Sequence, residues 1–364
     1  MWVKFVPNQD EVVVGNQDID IRCGTAIECL AQCGWIGRYM PKLSREALAP
    51  KAVNEMVAFA RNSEVHDFKP EGKNTTNKKY PQALLPATIA DSWRERPCDV
   101  LTDEMWQELQ TDAMWSQQYP TLSRLELVSE HHIGTYYNTT LVAMMNGVYK
   151  AQAEASEARA NVSDEEQGSN EPDKTGTQSS AHSSSDVDDP PADQEVYLDV
   201  GATGILYDHF LPDYAMVKGI KKENRCPGDL KCSWKFRSAW HSIKADDQRS
   251  SRRTEFRKVL SQEWHYMKEA KTRYGFLLTD LELVVVHAKK PREEGSFEVP
   301  IPEISPPIYW THEYEQIPAT KAQMKTWTIP LALWWLMKMC ALGEDWQAEY
   351  EEHEEEEDHE DEDD

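Results

Sequence analysis

The sequence lacks any run that is both apolar and long enough to cross a bilayer. Its most apolar stretch, Ile329 to Leu342, spans 14 residues and carries Lys338, whereas a spanning helix needs about 20 apolar residues. That stretch reads as a buried helix, and no membrane partner is expected. A basic segment leading into an apolar signal core is also missing, because Met-Trp-Val-Lys-Phe is followed by mixed polar sequence. The chain is therefore expected to be intracellular, nuclear or cytoplasmic, and not secreted. Cysteine is sparse. None of the seven forms a CxxC pair, and the closest spacing, Cys29 to Cys33, has no neighbouring His suited to zinc. Reduced thiols are expected, and the sequons at Asn74, Asn138 and Asn161 read as chance matches. There is no internal repeat.

Basic residues are outnumbered, with a formal charge of −25, but the deficit is local. Glu349 to Asp364 holds thirteen acids and no Lys or Arg, and Ala151 to Glu195 holds twelve acids against Arg159 and Lys174. Only −2 remains for the rest of the chain. Between Gly201 and Lys290, eighteen Lys and Arg face eleven Asp and Glu, so this one segment is basic. The Ser-, Asp-, Glu- and Pro-rich stretch between 151 and 195 has no apolar period and reads as a disordered insert. The terminal acidic run reads as a solvated tail that cannot bury enough apolar surface to offset its ordering entropy.

What is present has a readable order. Ser44 precedes a helical pattern through Leu48, Val53, Met56, Val57 and Phe59, and Thr102, Asp103 and Glu104 open a short helix. From Leu122 to about Lys150, Leu125, Val128, Ile133, Tyr137, Leu141, Met144 and Val148 recur mostly at helical spacing. Beyond the insert, strand-like runs fall at Val196 to Val200, Tyr214 to Val217 and Leu230 to Phe236. A helix is expected from Thr254, as N-cap, to Arg273, with Phe256, Val259, Leu260, Trp264 and Met267 on one face. Two more strands, Tyr274 to Thr279 and Leu283 to His287, follow around a turn at Asp280 to Glu282. The order is helix, three strands, helix, two strands.

Hydrolysis of a phosphodiester by a metal enzyme needs carboxylates for a hard cation and a cationic group near the attacking water. Pro212-Asp213 at the head of one strand and Asp229-Leu230-Lys231 opening the next supply that set. Alternation along a strand puts Asp229 and Lys231 on one side and Leu230 on the other. If the strands pair, Asp213 faces the same pocket. A metal would then see two carboxylates, with a backbone carbonyl and water completing its shell.

Pro212-Asp213, Asp229-x-Lys231 and a helix with Gln262-x-x-x-Tyr266 resemble the PD-(D/E)XK nuclease-like superfamily in its RecB-like form. The match covers roughly residues 196 to 290. Tyr274-Gly-Phe-Leu-Leu-Thr-Asp280 and Leu331-Ala-Leu-Trp-Trp335 further resemble fungal proteins of that superfamily, some related to a segment beside fungal-type kinase domains. The resemblance implies an α/β fold, a restriction-endonuclease-like core with a mixed central sheet flanked by helices, here behind an N-terminal helical extension. It implies Asp213 and Asp229 as ligands of Mg²⁺ or Mn²⁺, Lys231 as the cation orienting water or phosphate, and Gln262 with Tyr266 lining the site. An acid on the preceding helix often completes the metal set, and Glu130 or Glu126 would fill that place. The chain then divides into a mostly helical or irregular region at 1–121, a helix packing on the core at 122–150 and the insert at 151–195. The core with its C-terminal helix takes 196–343, and the acidic tail 344–364.

The triplet alone is cheap, since Asp67-x-Lys69, Glu71-x-Lys73 and Glu269-x-Lys271 also occur; order and context set Asp229 and Lys231 apart. A blander account has Asp213 capping a turn, Asp229 following a Pro227-Gly228 turn and Lys231 on a surface strand. Adjacent His131 and His132 point about 100° apart on a helix and rarely share an ion. Trp234, Trp240 and Trp264 read as core before base-stacking groups. Lys221, Lys222, Arg252 and Arg253 either track a phosphate backbone or are solvated. Two functions follow. One is a metal-dependent nuclease or nuclease-like phosphodiesterase binding nucleic acid through residues 201–290. The other is a catalytically inactive nuclease-fold protein whose acidic tail binds basic protein partners. The fungal resemblance adds an accessory role beside a specialised-metabolite pathway.

Overall fold

In the computed structural model, residues 19–31, 36, 95–110, 112–119, 130–168, 196–201, 211–244, 250–289, 300–341 and 346–350 are described. The helix expected after Ser44, Glu126, the decoys at 67–73, residues 169–195 of the insert and the run 351–364 lie outside them.

The described chain is α/β, with a mixed central sheet covered by helices on both faces. Its N-terminal part pairs β1 (Ile19–Thr25) antiparallel with β2 (Asp112–Tyr119). Between these strands come α1 (Ala26–Ala31), α2 (Pro97–Val100) and α3 (Asp103–Leu109). Thr102 caps α3 as its sequence foretells, its hydroxyl accepting the Met105 N–H at 3.1 Å.

The single helix expected up to Lys150 is instead α4 (Glu130–Tyr137), a π turn at Asn138–Val142, and α5 (Ala143–Gly168). The break has a local cause. The hydroxyls of Thr139 and Thr140 donate to the Tyr136 carbonyl at 3.0 and 2.7 Å, competing with the helical ladder. At its far end α5 runs to Gly168, into the segment expected to be disordered from 151. Ala151, Ala153, Ala155, Ala158 and Ala160, alternating with Glu and Gln, supply intrinsic helix propensity even where no apolar period exists.

The main sheet runs in the order β3 (Val196–Val200), β4 (Tyr214–Lys218), β5 (Glu223–Lys231), β6 (Tyr274–Thr279), β7 (Glu282–Lys289) and β8 (Ile301–Ile304). The short β9 (Ile308–Tyr309) also pairs with β7. Of these pairings only β5 with β6 is parallel. A parallel neighbour requires a crossover, and α6 (Ser250–Glu269) provides it. This helix starts four residues before the expected Thr254 cap and ends before Arg273. Its Phe256, Val259, Leu260, Trp264 and Met267 bury against Leu277, Val284 and Val286 on one face of the sheet.

On the other face, Leu198, Tyr214, Met216, Leu230, Phe276 and Leu278 pack toward α1, α3, α4, α5 and α7 (Ile329–Ala341). Helix α7 is buried on nearly every side, so it is apolar all round. Thr328 Oγ accepts the Leu331 N–H at 3.2 Å and donates to the Leu30 carbonyl at 2.5 Å, tying the start of α7 to α1. Among the described residues no helix is long and apolar enough to cross a membrane.

Three expectations need correcting. The third strand of the core is Glu223–Lys231, not Leu230 to Phe236. Pro227-Gly228 looks like a turn but lies mid-strand, because a Cβ on Gly228 would fall 2.1 Å from Phe276 Cζ and only glycine leaves room for that ring. The boundary at 343 also moves. Trp346 is buried, with the Arg225 guanidinium 4.5 Å from its ring centroid, and the Tyr350 hydroxyl donates to the Thr272 carbonyl at 2.6 Å. Finally, Cys29 is disulfide-bonded where a free thiol was expected, while Cys98, Cys226, Cys232 and Cys340 are free.

Candidate functional site

The expected residues meet at one end of the sheet, where β5 finishes and β4 begins. Asp229 and Lys231 therefore close a strand, where the sequence suggested that they open one. Alternation holds. Leu230 enters the core under α4, and Asp229 and Lys231 rise on the α6 face. Both are nearly inaccessible, at 1% and 8% exposure. Lys231 Nζ lies 2.6 Å from Asp229 Oδ2.

Asp213, just ahead of β4, is exposed and turns back over β5, where its Oδ2 accepts the Leu230 N–H at 2.9 Å. The blander account is thus met in part, since this carboxylate does satisfy a strand-end amide. It nevertheless sits against Asp229. The Asp229 carboxyl is pushed up to about 8, chiefly by burial; the Lys231 ammonium opposes the shift and Asp213 adds to it. Burial by itself would depress the Lys231 ammonium, but Asp229 and Asp213 outweigh it, and its pKa lies above the ordinary value. Lys231 is therefore charged at every ordinary pH.

Helix α6 supplies the wall. Gln262 Nε2 donates to the Tyr266 hydroxyl at 2.8 Å, and that hydroxyl donates to the Leu211 carbonyl at 3.2 Å. Four residues apart on one helix face, the pair is latched to the turn that presents Asp213. Glu130, at the start of α4, is ion-paired with Lys235 at 3.1 Å, and its charge also helps hold up Lys231.

One member was not foreseen. Glu263 on α6 is 0% exposed, and no hydrogen bond of normal geometry reaches its carboxylate, although the Phe276 backbone amide lies close enough to favour its charged form. It lies over β6, where a Cβ on Gly275 would come within 2.4 Å of its Oε1. Burial, and after it the Asp229 charge, pushes this carboxyl well above the usual range. A signal existed, because Phe256, Leu260, Glu263 and Met267 follow the helical spacing that marks the apolar stripe, and an acid in that stripe is anomalous.

The loop after β5 is fixed by two more carboxylates. Asp280 accepts the Ser233 N–H at 2.6 Å and the Ser233 hydroxyl at 2.8 Å, and Glu282 accepts the Ser238 N–H at 2.6 Å. They anchor the chain leaving Lys231 to the β6–β7 turn, a positional task invisible in the sequence.

Other residues singled out by sequence lie elsewhere. Lys221 and Lys222 are exposed in the β4–β5 turn, at the opposite end of β5 and about 30 Å of strand from Lys231. Trp240 and Trp264 are core residues, Trp234 packs partly buried against the core, and Arg252 lies 5.9 Å from the Trp240 ring centroid. Glu269 and Lys271 flank the end of α6, away from the site strand. Exposed His131 belongs to no metal group.

Among the described residues no three His, Cys, Asp or Glu side chains are gathered closely enough to hold a metal ion. The carboxylates here are hard oxygen donors, but Asp229 is engaged by Lys231 and Asp213 by the Leu230 amide. No family model, curated protein or solved structure matches this chain.

Proposed function

We propose that the chain is a metal-dependent nuclease or nuclease-like phosphodiesterase, with its site at the end of β5. The observation that carries this reading is the burial of Asp229 and Lys231 side by side beneath Asp213 and the Gln262–Tyr266 pair. A buried ion pair seldom outperforms packed apolar side chains in stability. Three carboxylates around one lysine are costly as architecture and useful as chemistry. The order of elements also supports the reading, since a helix, three antiparallel strands, a crossover helix and a parallel strand follow the motif order seen in the sequence.

In this reading Asp213 and Asp229 would hold Mg²⁺ or Mn²⁺. When bound, such an ion supplies positive charge to offset the phosphate oxygens and acidity to the attacking water. Lys231 places a fixed positive charge beside the attacked phosphate. Gln262 and Tyr266 hold the turn bearing Asp213 in register with β5. Nucleic acid is the proposed substrate, approaching the basic segment 201–290.

A second reading follows from the spacing of the carboxylates. Because Lys231 already neutralises Asp229 and no three ligands are gathered, a catalytically inactive interaction module binding basic partners through residues 351–364 is the alternative. Cleavage of labelled single- and double-stranded DNA and RNA with Mg²⁺ or Mn²⁺ separates the two. The proteins to compare are wild type, Asp229→Ala and a variant ending at Tyr350, which removes the acidic run and keeps the packed Trp346 and Tyr350. Metal-dependent cutting that disappears in Asp229→Ala supports the nuclease; folded protein that cuts nothing with or without the tail sinks it.

A further inference from the structure

We propose that the acidic run 351–364 docks along a basic stripe on one flank of helix α6, as an intramolecular clamp; the inference is independent of the chemistry proposed at the end of β5. The occupant is this chain's own segment, twelve Asp and Glu with no Lys or Arg, which directly follows Tyr350.

Two features of α6 carry the proposal. Its charges are sorted by flank. Arg253, Arg257, Trp264 and Lys268, spaced by four, seven and four residues, form one helical stripe. Gln262 and Tyr266 lie on the opposite flank together with Glu255 and Glu269, and there Lys258 is already ion-paired with Glu255 at 2.6 Å. The stripe is also a place where positive charge is held against repulsion. Arginines four apart on a helix repel one another, and Arg253 lies in a first turn that holds no acid, where the helix dipole is itself positive. An anionic segment alongside turns both repulsions into attraction.

The path of residues 346–350 delivers the acidic run to this stripe. Gln347 bridges antiparallel to Thr272, the Ala348 N–H donates to the Lys271 carbonyl at 2.9 Å, and the Arg273 guanidinium donates to the Gln347 carbonyl at 3.0 Å. Tyr350 then packs edge-on against Trp264, with ring centroids 5.5 Å apart, so the chain arrives on the stripe itself, between Arg257 and Lys268. From Trp264 to Arg253 is roughly 16 Å of helix, and the fourteen residues 351–364 extend to about 46 Å, so the run reaches the whole stripe. Because the stripe lies opposite Gln262 and Tyr266, docking there covers basic surface and leaves the end of β5 open.

The test is zero-length carbodiimide cross-linking of the full chain, which joins carboxylates to lysine amines, read by peptide mass spectrometry. Wild type offers Lys268, and Arg253→Lys keeps the charge while adding an amine at the far end of the stripe. Exposed Lys221 and Lys222, in the β4–β5 turn, report what a merely tethered run reaches. Acids of 351–364 should couple to Lys268, and to position 253 in Arg253→Lys, at least about fivefold more than to Lys221 or Lys222, because docking raises their local concentration. The preference for position 253 should fall to parity in about 0.5 M NaCl, which screens charges beyond a few ångströms, and in the same chain carrying Arg257→Glu; the salt comparison stands by itself if that variant does not fold. Even coupling to all these lysines, or a preference for Lys268 alone that survives salt, shows a tethered segment with no docking site and overturns the proposal. Coupling between two copies, revealed by mixing unlabelled and isotope-labelled chains, overturns the intramolecular assignment.

Discussion

Lys231 Nζ lies 2.6 Å from Asp229 Oδ2, although the two residues are neighbours on the same face of one strand and both are almost wholly removed from water. Same-face residues of a strand stand about 7 Å apart at the backbone, so the long lysine has folded back along β5 to reach the shorter carboxylate. The ammonium thus does the electrostatic work of a cation at the site, and disturbing either partner should be felt throughout.

Lys231→Met should destabilise the fold by roughly 3 kcal/mol near pH 9, where it strands an ionised Asp229 in the interior. Near pH 6 the cost should be smaller, since Asp229, with a value of about 8, can hold a proton there. Urea unfolding of both proteins at the two pH values checks this. A penalty that does not vary with pH would mean that Asp229 is not the group being stranded.

Stability should fall as pH rises from about 4 to about 8. Asp229 is raised in the folded chain to about 8, and its unfolded value is about 3.9, so between these limits the folded state binds the extra proton. Its contribution is complete below the unfolded value and is lost as pH climbs through the folded one. Glu263, raised in the same direction, adds to the fall. The difference in unfolding free energy between wild type and Asp229→Asn, followed across pH 5 to 9, should therefore slope downward. A flat difference would contradict the shift.

Tyr266→Phe should cost about 1–2 kcal/mol, because it deprives the Leu211 carbonyl of a donor and Gln262 of an acceptor. The effect should be local as well. Hydrogen exchange should accelerate at the Leu230 amide, which depends on Asp213 being held in place. Unchanged exchange there would show that the helix pair does not position the turn.

Gly228→Ala should destabilise by about 2 kcal/mol or more, since its Cβ would collide with the Phe276 ring inside a close-packed layer. Adding Phe276→Leu should recover part of the loss by making room. A double variant no better than the single one, measured by thermal unfolding, would place the strain in the backbone.

Much of this organisation was legible because it depends on local chemistry. The Thr102 cap, the apolar face of α6, the all-round apolar α7 and the hairpin of β6 and β7 each follow from patterns within a dozen residues. The spacing of Asp229 and Lys231 likewise sets them on one face whatever surrounds the strand. Where reading failed, a distant ring decided in one case and a local side-chain bond in the other. Pro227-Gly228 became mid-strand because Phe276 needed the space, and the helix before the core broke where Thr139 and Thr140 turned their hydroxyls back on Tyr136.

Strand alternation, helical periodicity and charge distribution belong to the chain alone, because each is written in residues near one another. Burial, pairing and the shifted ionisation of Asp229 and Glu263 arose only when α6 crossed over to place β6 beside β5. That packing removed water from carboxylates far apart in sequence and left them to be governed by one another and by Lys231.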